Sequence, residues 1–371
     1  MATRFQHYVP QVYLRAWENK VCSIKEPKKK FKGVYYYQKD DLSVGDGRNI
    51  NSILAQNHTY TIDFEHTFVF DEMPEIANDY GTKIMEVLNR HKAIVYYNDR
   101  RLKTIEDLTS RDVFPFLENW DFYKEDNPEN LARKKSIIND IKGIHSYVIE
   151  NKLDDFLEKE WAKIRDDFIT AIEKEAQYRT MIDVSIEPAF ATKLIHSMLL
   201  LMCRNPVFDC LGIFPQIGNT FMKIFSMDEL DEEERIRSKE MVDQQLHAAW
   251  LAEIYKGLFQ SEKGFCKVYA ENIQKKCQLI VLRCPESNGS FITSDNPAFM
   301  FLSNVTKENR NGFYFPLTPQ YLLLIGKGKN DIGNIDIHTL SNLGVRFYNG
   351  IIISKATNSI VSTNRYLGYL T

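Results

Sequence analysis

Three short stretches carry side chains able to do chemistry. The first is FITSDNPAFMF (291–301), in which a β-prone run enters Ser294-Asp295-Asn296-Pro297 and leaves through a second apolar run. Asp and Asn ahead of Pro favour a tight turn whose side chains bond to the backbone. Turns fixed by rigid strands also deliver functional groups to pockets. There the Asp295 carboxylate could act as a base or bind a metal ion, with Ser294 and Asn296 as binding groups. The second stretch is His7-Tyr8-Val9-Pro10-Gln11, dense in functional groups where a disposable terminus would be small and polar. His7 could serve as general base or metal ligand, and Gln11 could orient a substrate. The third is Arg204, which follows a nearly pure apolar run and precedes Asn205-Pro206. A guanidinium beside a core helix must find a carboxylate, a carbonyl or a phosphate, because an unpaired buried charge is expensive. An internal salt bridge and a phosphate clamp both meet that need.

The remaining chemistry-bearing residues are scattered. Histidines stand at 7, 58, 66, 91, 145, 196, 247 and 338, with no two at helical i, i+3 or i, i+4 spacing. A metal site on one helix face is therefore not expected. A divalent metal remains open as a cofactor with its ligands unassigned. The six cysteines form no Cys-x-x-Cys pair, which fits reduced structural thiols. Phosphate-loop, zinc-protease, nucleophile-elbow and EF-hand motifs are all missing from the sequence. GDGRN (45–49) lacks a strand–turn–helix context and reads as a polar loop.

The elements that must position these residues follow from pattern. Pro10 can open a short helix over 10–18, where its missing N–H costs nothing. VCSIKE (21–26) and GVYYYQ (33–38) read as a hairpin, and Lys28, Lys29, Lys30 and Lys32 around Phe31 form a basic tip. That tip reads as solvated, with phosphate contact as its functional alternative. HTYTI (58–62) reads as a short strand. From residue 74 helical spacing takes over, with Ile76, Tyr80, Ile84, Val87 and Leu88 on one face. Apolar residues at helical spacing over 129–178 predict two helices broken near Asn151. A buried helix is expected over 188–203, with further helices at 213–225 and from about 228 onward, the last with an acidic start. Strands return at 277–284, 290–294, 299–302, 313–317 and 321–328. Residues 335–356 read as helix, and 359–363 as a last strand. The expected fold is α+β in one unit over 1–371. Strand-rich portions at 1–73 and 276–371 supply a mixed or antiparallel sheet around a helical subregion at about 74–275.

Composition is that of a globular chain: 371 residues, 44% hydrophobic, with a formal net charge of −3. That mild acidity argues against a protein whose whole surface binds nucleic acid, and leaves room for a local basic patch. The opening residues contain no apolar leader core, and the longest apolar run, near 195–203, is too short to cross a bilayer. The expectation is a cytoplasmic protein without a membrane span.

The opening also carries a resemblance. His7-Tyr8-Val9-Pro10-Gln11 followed by Tyr13-Leu14-Arg15 resembles the start of a large bacterial family, domain of unknown function 4238, whose members begin His-His-Tyr-Val-Pro-Gln-Phe-Tyr-Leu-Arg. Gln6 stands here in place of the first His, and Val12 in place of Phe. Gln6 weakens any mechanism that needs adjacent histidines. NINSILAQNHTYT (49–61) resembles the family's asparagine–helix–aromatic segment, and Arg204 with Pro206 its Arg-x-Pro helix end. Thr293 to Pro297 resembles its Thr-Ser-Asp-x-Pro turn, and Phe315 to Pro319 its Pro-Leu-Ser/Thr-Pro strand. The final helix with Asn349 fits as well. The resemblance runs in order along nearly the whole chain and implies a bacterial cytosolic protein of one unit. It singles out His7 to Arg15, Arg204, and Ser294 to Pro297.

Three readings follow. A hydrolase of phosphodiester or nucleotide substrates, such as a nuclease effector in bacterial defence, would use His7 and Asp295 catalytically and Arg204 as a phosphate clamp. A non-catalytic binding or sensor protein would use the same segments as a ligand pocket, or its amphipathic helices as a partner face. A purely structural network would lock the N-terminal segment against the C-terminal sheet. Nucleic acid, nucleotide and protein partners therefore all stay open.

Overall fold

The computed structural model describes residues 5–57, 74–144, 158–177, 179–205, 231–236, 277–285, 289–301, 312–327 and 333–368. The strand expected at 58–62, the helix expected at 213–225 and most of the one that follows lie outside these residues. Short strands open the chain: β1 (Phe5–His7), β2 (Asn19–Cys22), β3 (Lys30–Gln38), β4 (Asp41–Arg48) and β5 (Ala55–Asn57), with α1 (Gln11–Leu14) between β1 and β2. Then come α2 (Pro74–His91), β6 (Ala93–Tyr97), β7 (Arg100–Leu102), α3 (Ile105–Thr109), β8 (Asp121–Lys124), β9 (Asn127–Leu131) and α4 (Lys134–Gly143). Next are α5 (Lys159–Ala176), β10 (Met181–Ser185), α6 (Pro188–Cys203) and β11 (Cys277–Arg283). The chain closes with β12 (Thr293–Ser294), β13 (Phe299–Phe301), β14 (Gly312–Thr318), β15 (Tyr321–Lys327), β16 (Asn334–Thr339), α7 (Asn342–Lys355) and β17 (Ser359–Ser362). The architecture is α+β. Among the described residues no helix is long and apolar enough to cross a membrane.

Contacts gather the chain into two compact units. One comprises Met1–Gln6, Asn57–Asp154 and Asp209–Phe259. In it α2 buries Tyr80, Ile84, Val87 and Leu88, as their helical spacing requires. An antiparallel sheet in the order β7-β6-β8-β9 sets Val95 opposite Leu102 and Phe122. The His91 ring pins α2 to α4 through a 2.7 Å bond to Asp140. Thr104 and Asp107 form a capping box that starts α3.

The other unit comprises His7–Gln56, Asp155–Phe208 and Gln260–Thr371. It holds a six-stranded mixed sheet in the order β10-β16-β11-β15-β14-β13, in which β11 and β16 run parallel. Its inner strand β15 buries Leu322 to Ile325 in succession, as a strand covered on both faces must. A second sheet runs β12-β17-β3-β2, with β4 also on β3. Strands from the two ends of the chain thus share one sheet, through β17 on β3. Helix α5 buries Trp161, Phe168, Ile172 and Ala176 and ends where Gln177 turns left-handed at φ 48°.

Two local expectations are corrected. GDGRN is not a loop, because its first four residues belong to β4. A side chain at Gly47 would put its Cβ 2.5 Å from the Cys22 carbonyl oxygen, so the glycine marks close backbone approach within the sheet. Residues 335–356 are not one helix. Asn334–Thr339 is β16, which buries Ile335 and Ile337 in alternation, and α7 begins afterwards, where Ser341 accepts from the Gly344 amide. The largely helical middle of the chain also carries strands β6 to β10.

Candidate functional site

The opening segment is anchored from both sides. The amides of Tyr8 and Val9 donate to the Leu54 carbonyl at 3.1 and 3.4 Å. Leu54 is held at φ 53°, a left-handed conformation that costs a branched residue about 1–2 kcal/mol. The short helix that follows drives Tyr13 and Trp17 into the core with no exposed surface. Tyr13 stacks on Phe315 at 5.5 Å between ring centroids, and Trp161 meets the edge of Phe315 at 5.6 Å. The Tyr13 hydroxyl donates to the Pro316 carbonyl at 2.7 Å and shares a 2.8 Å bond with Thr293. Trp17 donates to the Phe291 carbonyl at 3.0 Å. Burial pushes the Tyr13 phenol far up, so it stays a neutral donor.

Arg204, where α6 ends, reaches back to this segment. Its Nη2 donates to the His7 carbonyl oxygen at 2.7 Å, and its Nη1 pairs with Glu158 Oε1 at 3.0 Å. The guanidinium side chain is 3% exposed. The buried arginine thus has both a carbonyl and a carboxylate. Asn205 next to it donates to the Asp295 backbone carbonyl at 2.5 Å. The pair Arg204-Asn205 therefore joins the His7 and Asp295 segments through their main chains.

The half-buried His7 side chain lies beside Gln11, whose Nε2 is 3.4 Å from Nδ1 and 3.3 Å from Nε2 of the ring. Burial holds the imidazole below the usual histidine range. The Ile50 carbonyl and the Glu158 carboxylate oppose that fall, and Arg204 adds to it. His7 is consequently neutral at pH 7, able to accept a proton.

The Asp295 carboxylate faces elsewhere. Its Oδ1 accepts from the Thr357 amide at 2.8 Å, and its Oδ2 from the amides of Asn358 and Ser359 at 2.6 and 3.0 Å. Burial raises its pKa, while these three amides and Lys39 pull the other way. Asn296 donates to the Lys355 carbonyl at the end of α7, at 3.1 Å. Ser294 Oγ accepts from the Asn296 amide at 3.1 Å and donates to its carbonyl at 3.0 Å. The Ser-Asp-Asn-Pro turn thus satisfies the backbone where α7 hands over to β17. Asn349 on α7 completes the clamp, accepting from the Ile292 amide and donating to the Ser290 carbonyl.

The three segments singled out in the sequence are brought together, but by division of labour. His7 and Gln11 present side chains to each other, Arg204 positions them, and Asp295, Ser294 and Asn296 tie down backbone. Tyr13 and Thr293 lie within segments that the sequence marks but were assigned no role, and Glu158 and Asn205 were not singled out. Asn205 sits beside Arg204 and Thr293 heads the turn, so adjacency was the available signal, whereas nothing distinguishes Glu158 within a charged stretch. Among the described residues no group of three or more His, Cys, Asp or Glu side chains is placed to hold a metal ion.

No curated protein and no solved structure matches the chain. A family model described as a protein of unknown function, DUF4238, matches residues 6–366, so the anchored opening, the Arg204 helix end and the Thr-Ser-Asp-Asn-Pro turn all fall within it, and the chain belongs to that family.

Proposed function

We propose that the chain is a hydrolase of phosphodiester or nucleotide substrates in which His7 is the general base. The observation that carries this reading is a half-buried, neutral imidazole on an anchored backbone, within electrostatic reach of Glu158 and beside the Gln11 amide. Such an imidazole takes a proton from water while the water oxygen bonds to phosphorus. One ester P–O bond then breaks, and His7 returns the proton to the leaving oxygen. Gln11 orients the ring and a bound substrate. Arg204 positions His7, since clamping a phosphate would cost it the bonds to the His7 carbonyl and to Glu158. Asp295, Ser294 and Asn296 hold the framework. A nuclease effector in bacterial defence is the setting this activity suits.

The test incubates purified protein with labelled oligonucleotides and with nucleotides, with and without magnesium or manganese. Cleavage is expected, falling about 10²- to 10⁴-fold in His7→Gln with the melting temperature retained. No cleavage under any condition, or equal rates in the two proteins, overturns the reading.

A second reading, a non-catalytic binding or sensor protein, is favoured by one observation: Arg204 and Asp295 are already engaged by protein partners. It expects native mass spectrometry to find a ligand or partner that copurifies and is not turned over.

A further inference from the structure

The hairpin of β2 and β3 carries a marked excess of positive charge in a chain that is mildly acidic overall. Between Lys20 and Lys32 stand six lysines and one glutamate, in a chain whose formal net charge is −3. All six lysines are exposed. Lys29 pairs with Glu26 at 3.4 Å, and Lys32 with Glu18 at 2.9 Å. Lys20, Lys25, Lys28 and Lys30 have no ion pair among the described residues.

Their placement follows from the strand register. Lys20 lies directly opposite Lys32, and Cys22 opposite Lys30. Side chains alternate along a strand, so Lys20, Lys30 and Lys32 share one face, with Lys30 and Lys32 about 7 Å apart. Like charges set directly opposite each other destabilise an antiparallel pair. Glu18 already offsets the charge of Lys32, so the cations left for a polyanion are Lys20, Lys25, Lys28 and Lys30, which have no ion pair among the described residues. The tip is also preorganised. The Ile24 amide donates to Asp46 on β4 at 2.8 Å, and the Lys29 amide to the Glu26 carbonyl at 3.1 Å.

We infer that the β2–β3 hairpin is a docking ribbon for the phosphate backbone of nucleic acid. The hairpin packs against β4 as part of a larger sheet, so its exposed lysines meet a nucleic acid from outside, and such lysines suit contact to phosphates without sequence preference. An anionic membrane surface is the poorer match. Interfacial binding grows with buried apolar area, and Ile24 is the one strongly exposed large apolar side chain on the described hairpin. The inference stands on charge placement and does not require hydrolysis at His7.

Fluorescence anisotropy tests it with a labelled mixed-sequence duplex of about 20 base pairs, titrated with His7→Gln protein between about 50 and 200 mM salt. The His7→Gln background separates binding from cleavage, so failure of one does not imply failure of the other. Binding is expected to weaken with a log–log salt slope near −0.9 per phosphate contacted. Adding Lys28→Gln and Lys30→Gln should make that slope shallower by about 2, with the melting temperature unchanged. Absence of binding at the lowest salt, a slope indifferent to the two lysines, or lysine-dependent binding to phosphatidylserine vesicles without binding to the duplex would each overturn it.

Discussion

Arg204 and His7 stand 197 residues apart in the chain and are joined by a 2.7 Å hydrogen bond from the guanidinium to the His7 carbonyl oxygen. The same guanidinium holds Glu158, so one buried cation fixes both the backbone of the candidate base and a carboxylate near its ring. The consequences of this arrangement can be measured one at a time.

Removing Arg204 strands two acceptors at once. Arg204→Ala should destabilise the fold by about 3–5 kcal/mol, the usual cost of breaking a buried ion pair by deleting one partner. Arg204→Lys should recover only part of that loss, because a single ammonium cannot reproduce the fork that reaches both oxygens. Chemical denaturation of the three proteins measures both effects.

Asp295 should behave as a structural anchor. Asp295→Asn places an amide NH₂ against backbone amides that need an acceptor, and should cost about 2–4 kcal/mol. A carboxylate strained for catalysis would instead leave stability unchanged or higher on replacement. Thermal unfolding of Asp295→Asn and Asp295→Ala distinguishes the two cases.

The opening helix is part of the core. Trp17→Ala should cost about 3–5 kcal/mol through the cavity it leaves. Tyr13→Phe keeps the stacking on Phe315 and removes only the hydroxyl bonds to Thr293 and Pro316, for about 1–2 kcal/mol. A larger loss for Tyr13→Phe than for Trp17→Ala would contradict this assignment.

Stability should depend on pH through His7. Burial lowers its pKa below the reference value of 6.5, so the unfolded chain binds this proton more readily than the folded one. The resulting stabilisation is present above about pH 6.5 and is lost as pH falls through the folded pKa. Urea midpoints measured across that window should show a difference between the native protein and His7→Gln that narrows as the pH drops. A constant difference would count against a neutral buried imidazole.

Much of this was legible in the residues themselves. The run from Val21 to Gln38 announces a hairpin through its β-prone flanks and basic tip, and the three segments joined through Arg204 and Asn205 are each conspicuous by residue type. The failures have physical causes. Gly45 and Gly47 made β4 look like a loop, yet they serve close packing against Tyr37 and the Cys22 carbonyl, contacts set by tertiary structure. The alternation of Ile335 and Ile337 was absorbed into the helical pattern that begins a few residues later. The backbone-bonded turn at Asp295 was legible in Asp-Asn-Pro, whereas its particular partners were not, since they are amides more than sixty residues downstream and backbone amides carry no mark in a sequence.

The pH dependence of the cleavage rate tests the central claim most directly. If His7 is the base, kcat/KM should rise with pH along a single limb whose midpoint lies below 6.5, and that limb should vanish in His7→Gln. A profile without that limb, or one that survives the substitution, would contradict the assignment.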